Sequence, residues 1–176
     1  MSRSVLLSWR SPSSADSEAE ETSELALPVD EAASPPSSYE ALTSYQSVVF
    51  SPTYQVPVFY FEIHKSNGSP LSLTDILKTT LLHETLPEGE VTSFGLTPAE
   101  TSFPVVSQGD HLTLGTPSWY IHPCGMPLAM EEVTSEIMAE AMAEGVLEEV
   151  RSEDDVGVRW MEVWFMILGN MVDLAC

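Results

Sequence analysis

Cys124 is the residue in this sequence with the clearest potential for covalent chemistry. It follows a short apolar, aromatic-rich run at residues 119–122 and comes directly after Pro123. The run predicts a buried strand, and because proline donates no backbone hydrogen bond, Pro123 marks where strand pairing stops. A thiol at a strand end has its geometry fixed by the sheet behind it, which suits a nucleophile. The alternative is that Cys124 is a small buried hydrophobe, the commonest role of a free cysteine.

The four histidines, His64, His83, His111 and His122, are the possible partners of that thiol. A cysteine hydrolase needs an oriented histidine beside the thiol, and no hydrolase signature surrounds Cys124. Zinc sites need paired Cys and His at spacings such as C-x-x-C, which do not occur, so no metal is predicted. Phosphate-binding glycine motifs are absent, and no cofactor is predicted. Two alternatives stay open: a thiol enzyme without visible acid–base machinery, or no enzyme at all.

The composition restricts the partners and the compartment. The 176 residues, 43% of them hydrophobic, suit one domain with a proper core. Six basic residues against 27 acidic ones give a net charge of −21, which repels nucleic acid and anionic lipid and favours a basic partner. Two cysteines at unrelated positions indicate no disulfide framework and hence a reducing compartment. No run approaches the ~20 apolar residues that span a bilayer, so we expect a cytoplasmic protein without stable membrane insertion.

The elements that must position Cys124 begin after an acidic leading segment. Residues 1–40 are predicted to be a disordered Ser/Pro-rich segment, with a possible first strand at 4–10. Residues 41–176 are predicted to form the folded domain. Strands are expected at 45–50 and 54–63, the second covered on both faces, with Pro57 at an irregularity or an unpaired edge. Asn67 and Gly68 predict a tight turn. A helix is expected at 74–82, and short strands at 91–96 and 103–106.

Two helices are predicted after Cys124. The first carries acidic residues every fourth position, which places them on one stripe of its surface. This stripe is either a solvated face or a docking surface for a basic partner. An acidic loop is expected at residues 152–155, followed by an apolar helix at 159–174 that packs on the sheet, with Gly169 as a break or a close-packing point. The acidic stripe consists of Glu132, Glu136, Glu140, Glu144 and Glu148.

Four stretches in a fixed order resemble one known family. They are SPTYQVPVFYF at residues 51–61, GSPLSLTDI at 68–76, the combination of QGDH, LGTP and HPC between 108 and 124, and the spacing of Trp164, Gly169, Val172 and Leu174. Together they cover roughly residues 45–174. The chain thereby resembles the autophagy ubiquitin-like-conjugating enzymes, and within them the autophagy-related protein 10 family.

The resemblance implies a fold, a reaction and a set of site residues. The fold is α+β, a ubiquitin-conjugating-enzyme-like antiparallel sheet flanked by helices. Cys124 is the residue that accepts a ubiquitin-like modifier as a thioester and passes it to a lysine. Tyr54 is expected near the thiol, where its hydroxyl can hydrogen-bond the thioester oxygen. His122 has either a similar role or a strand-capping one, and His111 has either a supporting role or a structural one.

The resemblance also implies partners, and it leaves alternatives open. The expected partners are the activating enzyme, autophagy-related protein 7, the modifier, autophagy-related protein 12, and the protein acceptor, autophagy-related protein 5. One alternative is the sibling enzyme that passes a modifier to a lipid head group. Residues 1–40 are acidic and proline-rich, which does not suit an anionic membrane surface. The other alternative is a non-catalytic interaction module with the same fold.

Overall fold

The architecture is a single antiparallel sheet with helices packed on it. A computed structural model describes residues 2–7, 9, 41–84, 86–144 and 153–174. Within these ranges the sheet has seven strands in the order β1-β2-β3-β7-β6-β5-β4, which confirms the predicted α+β class. The strands are β1 Ser2–Leu7, β2 Leu42–Ser51, β3 Val56–His64, β4 Gly89–Val91, β5 Gly95–Pro98, β6 Val106–Asp110 and β7 Pro117–Ile121. The helices are α1 Leu73–Ile76, a 3-10 helix at Pro123–Gly125, α2 Met126–Glu144 and α3 Glu153–Gly169.

The first strand, β1, precedes most of the predicted acidic segment in the sequence and belongs to the same sheet as the later strands. β1 pairs antiparallel with β2. The predicted disorder at residues 10–40 lies outside the described residues, and the boundary between residues 40 and 41 stays a prediction. None of the described helices is both long and apolar enough to cross a membrane.

β3 is an interior strand of the sheet, between β2 and β7. Every residue of β3 from Val56 to Phe61 is buried, as its continuous apolar run predicts. Pro57 pairs with β2, whereas β7 joins β3 only at Tyr60 and Phe61. Proline is tolerated there because β7 does not pair with that end of β3. The carbonyl of Pro57 instead accepts a hydrogen bond from Trp164 Nε1 at 2.9 Å, which ties α3 to the sheet.

The predicted helix at 74–82 is wrong in length, since α1 ends at Ile76. Ser72 caps its N-terminus, but the backbone bonds tighten to i→i+3 at Lys78 and Thr79, and the Thr79 hydroxyl donates to the Ile76 carbonyl at 2.7 Å. Such local bonds compete with helix continuation. The following leucines are buried in the core, and Leu82 pairs with Val172 after α3. Tertiary burial therefore overrides the helical spacing.

Between α1 and β7, two predicted strands have different bounds in the structure. The expected strand at 91–96 is split by a turn in which Thr92 Oγ1 accepts hydrogen bonds from the N–H groups of Phe94 and Gly95. β4 therefore ends at Val91 and β5 begins at Gly95. The strand expected at 103–106 begins only at Val106, as β6. The turn at Asn67 and Gly68 is present, closed by the Gly68 N–H to Lys65 carbonyl bond at 2.9 Å.

The helices after β7 differ from the prediction at their ends. α2 begins at Met126, immediately after the 3-10 helix, and Glu148 of the acidic stripe lies outside the described residues. The acidic loop expected at 152–155 is wrong, because α3 begins at Glu153. Acidic residues suit the first turn of a helix, where the macrodipole is positive. The apolar helix expected at 159–174 is wrong at both ends, since α3 spans Glu153–Gly169. Of the two roles expected for Gly169, the structure shows the break.

The core lies between the sheet and the helices. Phe59, Phe61 and Ile63 of β3 belong to one buried cluster with Trp164 and Leu168 of α3. Because side chains alternate along a strand, Tyr60 lies on the opposite face of the sheet. The polar and aromatic groups considered next lie mostly on that face.

Candidate active site

Cys124 lies on a turn between the sheet and the first long helix. β7 ends at Ile121, and Pro123, Cys124 and Gly125 form the 3-10 helix that leads directly into α2. The expectation of a thiol at the strand end is therefore wrong by about one turn. Pro123 is buried, whereas the Cys124 side chain is exposed, which excludes the alternative of a small buried hydrophobe. A buried proline anchors the turn and presents the thiol to solvent.

His122 caps that turn. Its Nδ1 accepts a hydrogen bond from the Cys124 N–H at 3.2 Å, as an N-cap side chain does. Since Nδ1 is an acceptor, the neutral ring carries its proton on Nε2. Burial lowers the pKa of His122, because desolvation penalises the imidazolium. The sequence left a capping role and a role at the thioester open; the geometry here is that of a cap beside the thiol.

Tyr54 reaches His122 from the turn between β2 and β3. The two rings meet edge-on, with centroids 6.0 Å apart and an interplanar angle of 73°. The turn is closed by the Gln55 N–H to Ser51 carbonyl bond at 2.8 Å, with Gln55 at a φ of 56°. Tyr54 is 39% exposed, so its hydroxyl lies where a docked partner can meet it. The fold thus brings Tyr54, His122 and Cys124 together from segments about 70 residues apart.

Tyr120 is a site residue that the sequence reasoning missed. Its ring lies 5.9 Å from that of His122 and 5.5 Å from that of Tyr60 on the neighbouring strand. Gly109 lies against it, and a Cβ added there would come within 3.1 Å of Tyr120 Cε1. The signal was available, because residues two apart on a strand share a face, so Tyr120 and His122 point the same way.

His111 is placed elsewhere, at the β6–β7 turn. It is only 5% exposed, and its Nδ1 accepts hydrogen bonds from the N–H groups of Thr113 and Leu114, both at 3.2 Å. Its Nε2 therefore carries the proton and donates to Ser47 Oγ at 2.7 Å. The ring packs on Tyr60 at 4.5 Å, so a line of aromatic rings separates it from His122. These contacts organise the hairpin and fasten it to β2.

Tyr60 forms the middle of that line of rings. Burial, reinforced by the neighbouring Tyr120, raises the pKa of its phenol, so Tyr60 stays neutral at physiological pH. A buried neutral phenol between His111 and Tyr120 acts as a packing element rather than as a base.

A groove of about 450 Å³ opens beside the thiol. Its walls come from the loop before β6, the end of β7, the first turn of α2 and the end of α3. No Lys, Arg, Asp or Glu is among its lining residues. They are Thr101, Phe103, Pro104, Val105, Ile121, His122, Cys124, Gly125, Met126, Ala129, Ile167 and Met171. Among the described residues there is also no cluster of three His, Cys, Asp or Glu that could hold a metal.

Comparison with known proteins matches one family over the whole chain. The family is described as autophagocytosis associated protein, active-site domain, and its model matches residues 2–176. The ubiquitin-like-conjugating enzyme ATG10 of Homo sapiens is 30% identical over 105 residues, which are 60% of this chain and 43% of the relative. The enzyme of the same name from Arabidopsis thaliana is 33% identical over 78 residues, 44% of this chain and 30% of the relative. The matched segments thus span less than half the length of either relative.

Proposed function

Because the chain belongs to the family of autophagocytosis-associated proteins defined by this active-site domain, we propose that it is a ubiquitin-like-conjugating enzyme with Cys124 as its acceptor thiol. The observation that carries the proposal is an exposed cysteine on a capped turn, with Tyr54 and His122 beside it. A conjugating enzyme needs a thiol that two large partners can reach in succession, and an exposed turn meets that need.

The first step is an exchange of thioesters. The Cys124 thiolate attacks the carbonyl carbon of the modifier's C-terminal thioester on the activating enzyme. The new S–C bond forms at Cys124, and the activating enzyme's cysteine leaves as a thiolate. One thioester replaces another, so the step is nearly isoenergetic and positioning supplies most of the rate. Such chemistry needs no triad, in keeping with the absence of a hydrolase signature.

The second step is attack by a lysine amine of the acceptor on the Cys124 thioester. An isopeptide bond forms, Cys124 leaves as a thiolate, and the amine releases its proton to solvent. Negative charge develops on the carbonyl oxygen in the transition state, so a nearby donor accelerates the step. Tyr54 is proposed as that donor, because its ring contacts His122, which is bonded to Cys124. His122 is proposed to hold the turn that orients the thiol.

The finer assignment of partners follows from the resemblance. The proposed activating enzyme is autophagy-related protein 7, the modifier is autophagy-related protein 12, and the acceptor is autophagy-related protein 5, all in the cytoplasm. The net charge of −21 supports partner surfaces that are basic where they meet this chain.

A charging assay tests the proposal. The chain is incubated with the activating enzyme, the modifier and ATP, and the products are separated on a non-reducing gel. We expect an adduct that a thiol reductant removes, and a reductant-resistant oxyester when Cys124→Ser replaces the thiol. Failure to form any adduct on Cys124 would leave the non-catalytic interaction module as the function.

The role of Tyr54 has a matched control in the same sheet. Tyr54→Phe is expected to slow transfer from the charged enzyme on the order of 10²-fold, as loss of one oxyanion donor does. Tyr45→Phe removes the hydroxyl of another exposed tyrosine (the residue is 53% exposed, against 39% for Tyr54) whose ring contacts His64 instead. This variant is expected to transfer at the wild-type rate. Equal rates for the two variants would exclude Tyr54 from the reaction.

The acceptor class is tested with two nucleophiles. Charged enzyme is mixed either with the protein acceptor or with vesicles of a phospholipid that bears a primary amine. We expect discharge onto the protein and none onto the vesicles, because the resemblance implies transfer to a lysine of a protein acceptor. Discharge onto the vesicles alone would assign the lipid-directed sibling activity.

A further inference from the structure

The groove beside Cys124 is an apolar surface continuous with the reactive thiol. Apart from Cys124 and His122, its walls consist of aliphatic and aromatic side chains, two methionines, one glycine and one threonine. Its volume of about 450 Å³ lies within the range of about 300–1,000 Å³ typical of ligand sites. Phe103 at its rim is 65% exposed and belongs to the lining of the groove.

The groove is held open by backbone bonds around it. The Val105 carbonyl accepts from the His122 N–H at 2.8 Å, and the Val105 N–H donates to the Leu96 carbonyl at 2.8 Å. The Phe103 carbonyl accepts from the Thr101 hydroxyl at 3.0 Å. The loop that carries Phe103 is therefore fixed to the same strand that leads to the thiol. A preformed groove spares a ligand the cost of ordering it.

The position of the groove restricts what can occupy it. Because Cys124 lines the groove, the carbonyl carbon of any acyl group bound to its Sγ atom lies beside the groove. In an extended peptide, the next residue is only about 3.3 Å farther along the chain. The residue before the acyl terminus therefore lies beside the groove walls. With no charged residue in those walls, a charged side chain would lose its hydration without gaining a partner. An apolar side chain would gain by burial.

We propose that this groove is a specificity pocket that receives the residue preceding the C-terminal residue of the modifier and selects an uncharged, apolar side chain there. The inference rests on the proposed function, since it takes the modifier as the group carried on Cys124. Phe103 and Ala129 are the residues that define the pocket: Phe103 covers its rim, and Ala129, half-buried on the first turns of α2, leaves room within it.

The test uses short peptide thioesters, so that no activating enzyme is required. Acetyl-Ala-Xaa-Gly thioesters of mercaptoethanesulfonate, with Xaa as Leu, Phe, Asp or Lys, are mixed with the full chain carrying Cys176→Ser. The Cys124 thiolate attacks the glycyl carbonyl, the S–acyl bond to Cys124 forms, and mercaptoethanesulfonate leaves as a thiolate. Intact-mass spectrometry follows the adduct. Each rate is divided by the rate of the same peptide with free N-acetylcysteine.

We expect the normalised rates for Leu and Phe to exceed those for Asp and Lys by about tenfold or more, the discrimination that an apolar pocket provides. Ala129→Asp and Phe103→Ala are expected to reduce this preference to less than about twofold. Two matched controls retain it. Leu128→Asp places the same charge on a neighbouring residue that is 71% exposed and outside the groove, and Phe94→Ala removes a ring that is 73% exposed in the β4–β5 turn.

Equal normalised rates for all four peptides, or no adduct with any of them, would overturn the proposal. So would loss of the preference in Leu128→Asp or Phe94→Ala, since it would then not arise in the groove. The outcome is separable from that of the charging assay. A chain that prefers apolar peptides but is not charged by the activating enzyme retains the pocket and loses the proposed partners. A chain that is charged but shows no preference retains the function and loses the pocket.

Discussion

The His-Pro-Cys sequence is a structural unit as well as a reactive one. His122 accepts the Cys124 N–H, and Pro123 occupies the first position of the turn, where a missing N–H leaves nothing unpaired. The order His-Pro-Cys therefore stabilises the backbone conformation of the turn, independently of the reactivity of the thiol. A thiol oriented in this way needs only access to its partners, and the exposed position of Cys124 supplies it.

The cap at His122 makes the turn sensitive to acid. Burial lowers the pKa of His122 below its usual value near 6.5, so the unfolded chain binds this proton more tightly than the folded chain does. The stability contributed by the neutral cap is therefore present above about pH 6.5 and is lost as the pH falls below it. His122→Asn keeps a capping oxygen that does not titrate. Urea midpoints at about pH 7.5 and about pH 5.5 measure the effect.

We expect the wild-type midpoint to fall more between these two pH values than that of His122→Asn. The other histidines are the same in both proteins, so the difference between the two proteins isolates His122. Parallel pH dependence in the two proteins would contradict the assignment of the cap as the acid-sensitive group.

His111 is predicted to act on stability and not on the thiol. His111→Ala removes the acceptor of the Thr113 and Leu114 N–H groups and the donor to Ser47, a loss of about 2–3 kcal/mol in the free energy of unfolding. Ser47→Ala removes only the last of these bonds and should cost about 1 kcal/mol. Urea denaturation gives both values. The alkylation rate of Cys124 in folded His111→Ala should equal that of wild type, and a slower rate would place His111 in the active site.

The elements contribute to the site unequally. β7 and the 3-10 helix position the thiol and its cap, and the β2–β3 turn brings in Tyr54. α3 supports both, because Trp164 Nε1 bonds the Pro57 carbonyl at the start of β3 and Ile167 lines the groove. The reactive groups thus lie on short turns that are held by the strands and helices of the fold, as functional sites require.

Two glycines in these elements are predicted to respond oppositely to alanine. Gly115 closes the β6–β7 turn at a φ of 64°, which disfavours any Cβ, so Gly115→Ala should lower the free energy of unfolding by about 1–2 kcal/mol. Gly157 lies exposed within α3, with nothing near the position of an added Cβ, so Gly157→Ala should raise that free energy by about 0.5–1 kcal/mol. Chemical denaturation measures both. A shift of the same sign in both variants would contradict the conformational explanation.

The molecule as a whole carries a net charge of −21, and α2 concentrates part of it. Glu132, Glu136 and Glu140 are exposed and lie one turn apart, so neighbouring like charges destabilise the helix by about 0.2–0.5 kcal/mol per pair. Replacing all three with Gln should raise the free energy of unfolding by about 0.5–1 kcal/mol at low ionic strength. The gain should shrink between about 0.02 M and about 0.5 M NaCl, because salt screens exposed charges.

Met138→Gln is the control for this series, since it changes an exposed residue of the same helix without changing the charge. Its effect should be independent of salt. A salt-independent gain in the triple variant would assign the stabilisation to helix propensity. The same triple variant separates the two interpretations of the acidic stripe: slower charging by the activating enzyme favours a docking surface for a basic partner, and an unchanged rate favours a solvated face.

The sequence by itself determined the α+β class, the buried β3 strand and the turn at Gly68, and it singled out Cys124 as the candidate nucleophile. These features depend on local hydrophobic patterns, on chain-breaking residues and on the spacing of motifs, all of which can be read from residues close together in the sequence. The tertiary structure alone decided that α1 stops at Ile76, that His111 supports the hairpin, and that an apolar groove lies beside the thiol. Each depends on which distant segments share a core or a face, and residues close in space here are far apart in the chain.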